Sequence, residues 1–170
     1  ATLPGLAGDD ERQGAEGADS IVRGDGNDVR AAGDGGLDRR GGDGAIDTLD
    51  GGMGDDLYWV SENDVILPDS GGVDTVNLLG GHFTLGAGLE NLDLSDGFEG
   101  GSGTGNELDN VMSDAHEGGT LHGMAGNDPL GLHRGSAYGG EGNDTLSGQD
   151  EVHLDGGAGN DLLNSGFAGT

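Results

Sequence analysis

The residues of this chain with the plainest chemistry are its aspartates, which recur at a fixed distance from glycines. Three segments are intact copies of G-G-x-G-x-D-x-U-x, where U is a large apolar residue: Gly51–Trp59 (GGMGDDLYW), Gly139–Ser147 (GGEGNDTLS) and Gly156–Asn164 (GGAGNDLLN). Glycine at the first, second and fourth positions permits φ > 0 and a close approach of the backbone, so the chain turns with its carbonyl oxygens pointing together. The sixth-position aspartate adds a hard anionic oxygen. Such oxygens are the donors calcium takes, about six to eight of them at ~2.3–2.6 Å. One aspartate in such a turn is equally well explained as a turn former. A set held in phase is not.

The phase holds along most of the chain. Blocks of nine run from Gly5 as GLAGDDERQ, GAEGADSIV and RGDGNDVRA, then AGDGGLDRR from Ala32, so Asp10, Asp19 and Asp28 share the sixth position. The block from Gly41 carries one extra residue before the intact copy at Gly51. A second array is phased from Gly105 as GNELDNVMS, DAHEGGTLH and GMAGNDPLG, with Met112, Leu121 and Leu130 on the apolar eighth position. Shorter blocks from Leu132 and Gly148 separate the last two intact copies. The candidate ligands are therefore Asp10, Asp19, Asp28, Asp56, Asp128, Asp144 and Asp161. Asp25 joins them from the turn of Asp28, and Asp34 and Asp38 from a block in which the aspartate has slipped one place. Gly24, Gly26, Gly51, Gly123, Gly139 and Gly156 supply turn backbone around them.

Two nonapeptides per coil would stack alternate blocks on one edge, ~4.8 Å apart along the hydrogen-bonding direction. In the second array that edge carries Asp128, Asp144 and Asp161; the blocks from Asp114, Leu132 and Gly148, on the other edge, lack a sixth-position aspartate. One well-occupied row and a poor or empty opposite row are expected there. In the first array Asp10 should pair with Asp28, and Asp19 should face the turn of Asp34 and Asp38 with Asp56 beyond it.

Composition agrees with a fold that depends on ions. Gly supplies 41 of 170 residues, only 31 % are hydrophobic, and 33 acids against 6 bases leave a formal charge of -27. A chain this poor in apolar residues and this charged does not offset its conformational entropy by burial alone. The charge argues against nucleic acid or an anionic membrane as partner, since both repel it. There is no Cys to hold the fold, and no apolar run approaches the ~18 residues of a membrane span. The opening ATLPGLAGDD and the close NSGFAGT read as a mature fragment of something longer.

Three regions follow: an array over 1–59, a strand-rich connector over 60–104 and a second array over 105–170. From Leu57 to Leu94 the runs LYWV, DVIL, DTVNLL, HFTL and LENLDL read as strands of wider coils without calcium turns, lying between turn residues such as D-S-G-G. Tyr58, Trp59 and Phe83 are expected to plug the junction. Arg12, Arg30 and Arg39 fall on the eighth position, where a charge cannot be buried unpaired. Pro129 is tolerable only where its strand position donates no hydrogen bond.

The nonapeptides resemble those of the RTX (repeats-in-toxin) family over Gly5–Trp59 and Gly105–Asn164, and the segment HFTLGAGLENLDLSDGFEGGSGTGNELDNV is similar to the connectors of long members. The resemblance implies an all-β parallel β-roll, or β-solenoid, in which six residues turn and bind calcium and three form a strand. It also implies type I export and folding on calcium binding outside the cell. Two roles stay open: a structural module of a surface layer, adhesin or fibre, or the accessory part of a secreted protease, lipase or alginate epimerase whose catalytic domain lies outside these residues. Uncapped solenoid ends add an expectation of end-to-end association.

No catalytic constellation is legible. His82, His116, His122, His133 and His153 form no H-E-x-x-H spacing, and there is no G-x-S-x-G or Walker loop. His122 and His133 flank one repeat and come nearest to a transition-metal pair, but exposed turn histidines explain them as well. Carboxylates that hold calcium stay ionised and make poor general acids.

Overall fold

The computed structural model describes residues 46–69, 71–94, 100–114, 116 and 118–166, and from the first 45 residues the backbone of five short strands. Asp10, Asp19, Asp25, Asp28, Asp34, Asp38, Gly24 and Gly26 lie outside the described residues. No helix occurs among those described. Three or four residues between glycine turns cannot offset the cost of helix nucleation, whereas a tripeptide alternating in and out suits a strand.

The contacts divide the chain into two units, Ala1–Asn77 with Gly86–Leu89, and Leu78–Leu85 with Glu90–Thr170. The strands of the first are β1 (Thr2–Leu3), β2 (Glu11–Gln13), β3 (Ser20–Ile21), β4 (Val29–Ala31), β5 (Arg39–Gly41), β6 (Thr48–Asp50), β7 (Leu57–Val60), β8 (Val65–Ile66) and β9 (Thr75–Leu78). The second holds β10 (His82–Thr84), β11 (Asn91–Asp93), β12 (Ser102–Thr104), β13 (Val111–Asp114), β14 (Gly119–Ala125), β15 (Pro129–Leu132), β16 (Gly135–Glu141), β17 (Thr145–Gly148), β18 (Val152–Ala158) and β19 (Leu162–Ser165).

In each unit consecutive strands go to alternate sheets, and every sheet is parallel. The first unit stacks β2-β4-β6-β8 on one side and odd-numbered strands on the other; the second stacks β10-β12-β14-β16-β18 against β11-β13-β15-β17-β19. The protein is a parallel β-solenoid, as the repeat predicts. Coil length varies: His82 meets Ser102 20 residues on, Asn110 meets Asp128 after 18, and Asp128 meets Asp144 after 16. The longest coils fall in the connector and the shortest where the degenerate blocks stand; the turns absorb the difference while the strands keep register.

The interior is two columns of side chains. Leu92, Met112, Leu130 and Leu146 align on one sheet of the second unit and are all buried. Phe83, Gly103, Leu121 and Ala137 align on the other. The small members make room for the large ones, since a Cβ on Gly103 would stand 2.7 Å from Leu92 Cδ2 and 2.8 Å from Met112 Cε. In the first unit Leu49, Tyr58, Val60 and Val76 are buried and Trp59 is half-buried. Register sets Arg12 and Arg30 in line with Leu49. The position expected for Arg39 belongs instead to Arg40, which faces Tyr58, while Arg39 faces Leu57. The slipped aspartate of that block carries its strand one place along. Pro129 starts a strand that pairs with β13 only from Leu130 onward, so the rung that would need its missing N–H is the one omitted.

Turn glycines divide by role. Those at the fourth position need both a left-handed backbone and bare space: Gly142 has φ 137°, and a Cβ there would stand 1.6 Å from Gly126 O of the preceding coil. At the second position Gly140 has φ 120°, but its neighbour in the stack is Met124, exposed and held at φ 83°. A left-handed backbone costs a residue with a Cβ about 1–2 kcal/mol. Met124→Gly should therefore raise thermal stability by about 1 kcal/mol. Gly140→Ala, whose Cβ would meet Met124 O at 2.0 Å, should lower it by at least ~2 kcal/mol. Calorimetric melting of both variants checks the pair.

Candidate metal centre

The sixth and eighth positions of the nonapeptide are two residues apart, so a strand that turns its apolar eighth residue inward turns its sixth inward too. Asp128 and Asp144 are accordingly 0 % and 1 % exposed, stacked beneath the apolar column. Each reaches back one coil. Asp128 Oδ1 accepts the backbone N–H of Asn110 at 2.8 Å, Asp144 Oδ1 that of Asp128 at 2.8 Å, and Asp161 Oδ1 that of Asp144 at 3.0 Å. The first unit repeats the pattern: Asp74 Oδ1 accepts from Asp56 N at 2.7 Å and Asp64 Oδ1 from Asp47 N at 2.9 Å. A second ladder, on the exposed fifth position, runs from Asn160 N to Asn143 Oδ1 (3.0 Å), from Asn143 N to Asn127 Oδ1 (2.9 Å) and from Asn127 N to Asp109 Oδ1 (2.7 Å).

One oxygen of each buried carboxylate remains. Oδ2 of Asp128 and Oδ2 of Asp144 are shielded from solvent and accept no hydrogen bond. Each sits before the first-position glycine of its own block, beside the carbonyl of the first residue one coil on. The Cβ position of Gly123 is 2.3 Å from Asp128 Oδ2 and 2.6 Å from Gly139 O; that of Gly139 is 2.1 Å from Asp144 Oδ2 and 2.4 Å from Gly156 O. Gly156 stands likewise 2.4 Å from Asp161 Oδ2. These first-position glycines have no positive φ among the values recorded. They are glycine because a side chain would occupy the place where the two oxygens converge.

A buried carboxylate oxygen that accepts no hydrogen bond is costly while it carries charge. Burial pushes the Asp128 carboxyl up to about 6, the Asn110 N–H pulls it down, and the charges of Asp144 and Asp109 raise it further. A proton on Asp128 relieves this charge in acid. The donors are all oxygen, the set that suits calcium or magnesium rather than thiophilic metals.

From sequence, Asp69 reads only as a turn residue of D-S-G-G and Asp74 as the start of the strand run DTVNLL. The structure gathers one carboxylate oxygen from each of Asp56, Asp69 and Asp74 within 4.8 Å of one another. Asp56 and Asp74 are buried. Asp69 Oδ2 accepts from Gly71 N at 2.6 Å, and its Oδ1, shielded from solvent, accepts no hydrogen bond. The 18-residue spacing of Asp56 and Asp74, each two places before an inward apolar residue, is the signal that links them.

The opposite edge of the second unit offers Asp114 rather than a file of aspartates. Asp114 Oδ1 accepts from His116 N at 2.9 Å, Oδ2 has no partner, and burial raises its pKa. Beside it a cavity of about 410 Å³ is lined by Ser113, Leu132, His133, Ser147 and Gln149 among others. His133 Nε2 lies 3.7 Å from Asp150 Oδ2. His122 stacks on Tyr138 with ring centroids 4.8 Å apart, so the two histidines are engaged with different partners.

No family model matches the chain, and no curated protein or solved structure is similar to it.

The raised Asp128 carboxyl gives a pH dependence with a definite sign. Its folded value, about 6, lies above the ordinary carboxylate value of 3.8, so the stability it contributes is full below the ordinary value and is lost as pH rises through about 6. In chelator the β circular dichroism signal should fall as pH is raised from about 4 to 7, and Asp128→Asn should flatten that fall. A signal that climbs through the window would show that the buried carboxyl is already matched by a positive group.

Proposed function

We propose that the chain is a calcium-binding structural module of a secreted bacterial protein, one that folds as calcium binds outside the cell. The observation that carries this reading is the file of Asp128 and Asp144, whose buried Oδ2 atoms accept no hydrogen bond and converge with Gly139 O and Gly156 O. Asp56, Asp69 and Asp74 offer a second place with the same hard donors. The nonapeptide resembles that of RTX proteins, and the parallel solenoid is compatible with their β-roll. The family assignment, export and extracellular role belong to this proposal.

The mechanism is coupled binding and folding. Without cations a formal charge of -27 drives the chain apart, and the buried carboxylates oppose closing the coils. An ion held between adjacent coils neutralises the charge and ties the coils together. Because the ligands come from two coils, the unfolded chain lacks the site, and binding energy becomes folding energy. Extracellular calcium modules have Kd values of ~10⁻⁴–10⁻³ M, a range that leaves the chain open where calcium is scarce and closes it where calcium is millimolar. The reading gives these carboxylates a structural task, with no nucleophile or proton-transfer group drawn into it.

Far-ultraviolet circular dichroism during a calcium titration, with magnesium as control, tests it. The expected result is a cooperative gain of β signal at ~10⁻⁴–10⁻³ M calcium and none with magnesium. A β signal complete in chelator and indifferent to calcium would sink the proposal.

A further inference from the structure

Asn110 holds the sixth position of its block and continues the column of Asp128, Asp144 and Asp161. It is as buried as Asp128 and Asp144, at 0 % exposure, whereas Asp161 at the end of the column is half-buried. Its place is the same place: the Cβ position of Gly105 is 2.4 Å from Asn110 Oδ1 and 2.4 Å from Gly123 O, as those of Gly123 and Gly139 are close to a carboxylate oxygen and the next carbonyl. What differs is how the side chain is satisfied. Asn110 Oδ1 accepts from Asn106 N at 2.8 Å, and Asn110 Nδ2 donates to Glu90 O of the preceding coil at 3.2 Å. In the blocks of Asp128 and Asp144 one carboxylate oxygen is left with no donor at all.

We propose that Asn110 is a cation-independent version of this rung, in which a neutral amide does for its coil what carboxylate plus ion do for the coils of Asp128 and Asp144. An amide carries one acceptor and two donors where a carboxylate carries acceptors only. It can therefore bond a backbone N–H and a neighbouring carbonyl without importing positive charge and without the penalty of a buried anion. The row of ions thus ends at Asn110, and the coil it closes is stable in the absence of metal. That calcium is what fills the charged rungs rests on the preceding proposal; that an amide replaces ion and carboxylate together does not.

The test is a pair of opposite exchanges in the full chain. Asp128→Asn with Asp144→Asn should give more β circular dichroism in chelator than the unaltered chain and fewer calcium ions per chain by native mass spectrometry. Asn110→Asp should do the reverse, needing more calcium to reach the same β signal and holding one more calcium ion at saturation. A double variant with no more β signal in chelator than the unaltered chain overturns the inference. So does an Asn110→Asp chain that gains no ion while the unaltered chain binds calcium. If the unaltered chain binds none and is folded in chelator, the calcium reading falls, and melting midpoints there still decide the role of the amide.

Discussion

In a strand of alternating faces, whatever is done at one inward position is done again two residues later. The nonapeptide places its large apolar residue at the eighth position, and so it also commits the sixth to the interior. Filling that position with aspartate buries an anion in a solenoid one coil thick, and much else follows from this choice. At Gly123 and Gly139 the first residue of the block is glycine because the carboxylate and a carbonyl of the next coil occupy the space a Cβ would take. One carboxylate oxygen is met by a backbone N–H of the preceding coil. The other is not, and its charge is left without a donor in the interior.

The hydrogen bonds that join the coils run in both directions. Backbone rungs donate backward, from Thr145 N to Asp128 O and from Leu162 N to Asp144 O. The carboxylate ladder does the opposite, since Asp128 N donates forward to Asp144 Oδ1. Each sixth residue is thus held from both sides, its carbonyl and its amide answered by the same neighbour. The exposed Asn143–Asn127 ladder adds a bond in the backward sense. Among the described residues, the coils of Asp128 and Asp144 are each tied to the one after them in this way, the nearest-neighbour coupling that lets a solenoid with a thin apolar core act cooperatively along its axis. It also explains how coils of 16, 18 and 20 residues coexist: ladders at the strand starts fix the register, and the slack goes into the turns.

The period, the two parallel sheets and the apolar column of Met112, Leu130 and Leu146 were legible in the sequence because each follows from position within the repeat. The stacking of Asp128, Asp144 and Asp161 on one edge was legible for the same reason. What counting to nine does not reveal is which way the sixth side chain points; reading the repeat as turn plus strand hides the fact that the aspartate already obeys the strand's alternation. Asp69 and Asp74 escaped because the block before β9, DSGGVDTVN, lacks glycine at its first two positions, although Asp74 keeps the 18-residue distance from Asp56. Arg40 rather than Arg39 aligns with Tyr58 because the block had shifted by one at Asp38. Where the repeat breaks, the register of neighbouring strands and not the motif decides which residue is which.

The interior of the second unit is therefore of two kinds. Its apolar column, Leu92 to Leu146, gains from burial whatever the solvent contains. The polar column changes character along its length: an amide bonded to Asn106 N and Glu90 O at Asn110, then carboxylates at Asp128 and Asp144 that each keep one oxygen without a donor. A folded protein is held by a small difference between large opposing terms, and a few buried anions suffice to decide it. With only 31 % of its residues hydrophobic, this chain has little apolar surplus with which to override them. The apolar column supplies the shape, and the polar column sets the conditions under which that shape is stable.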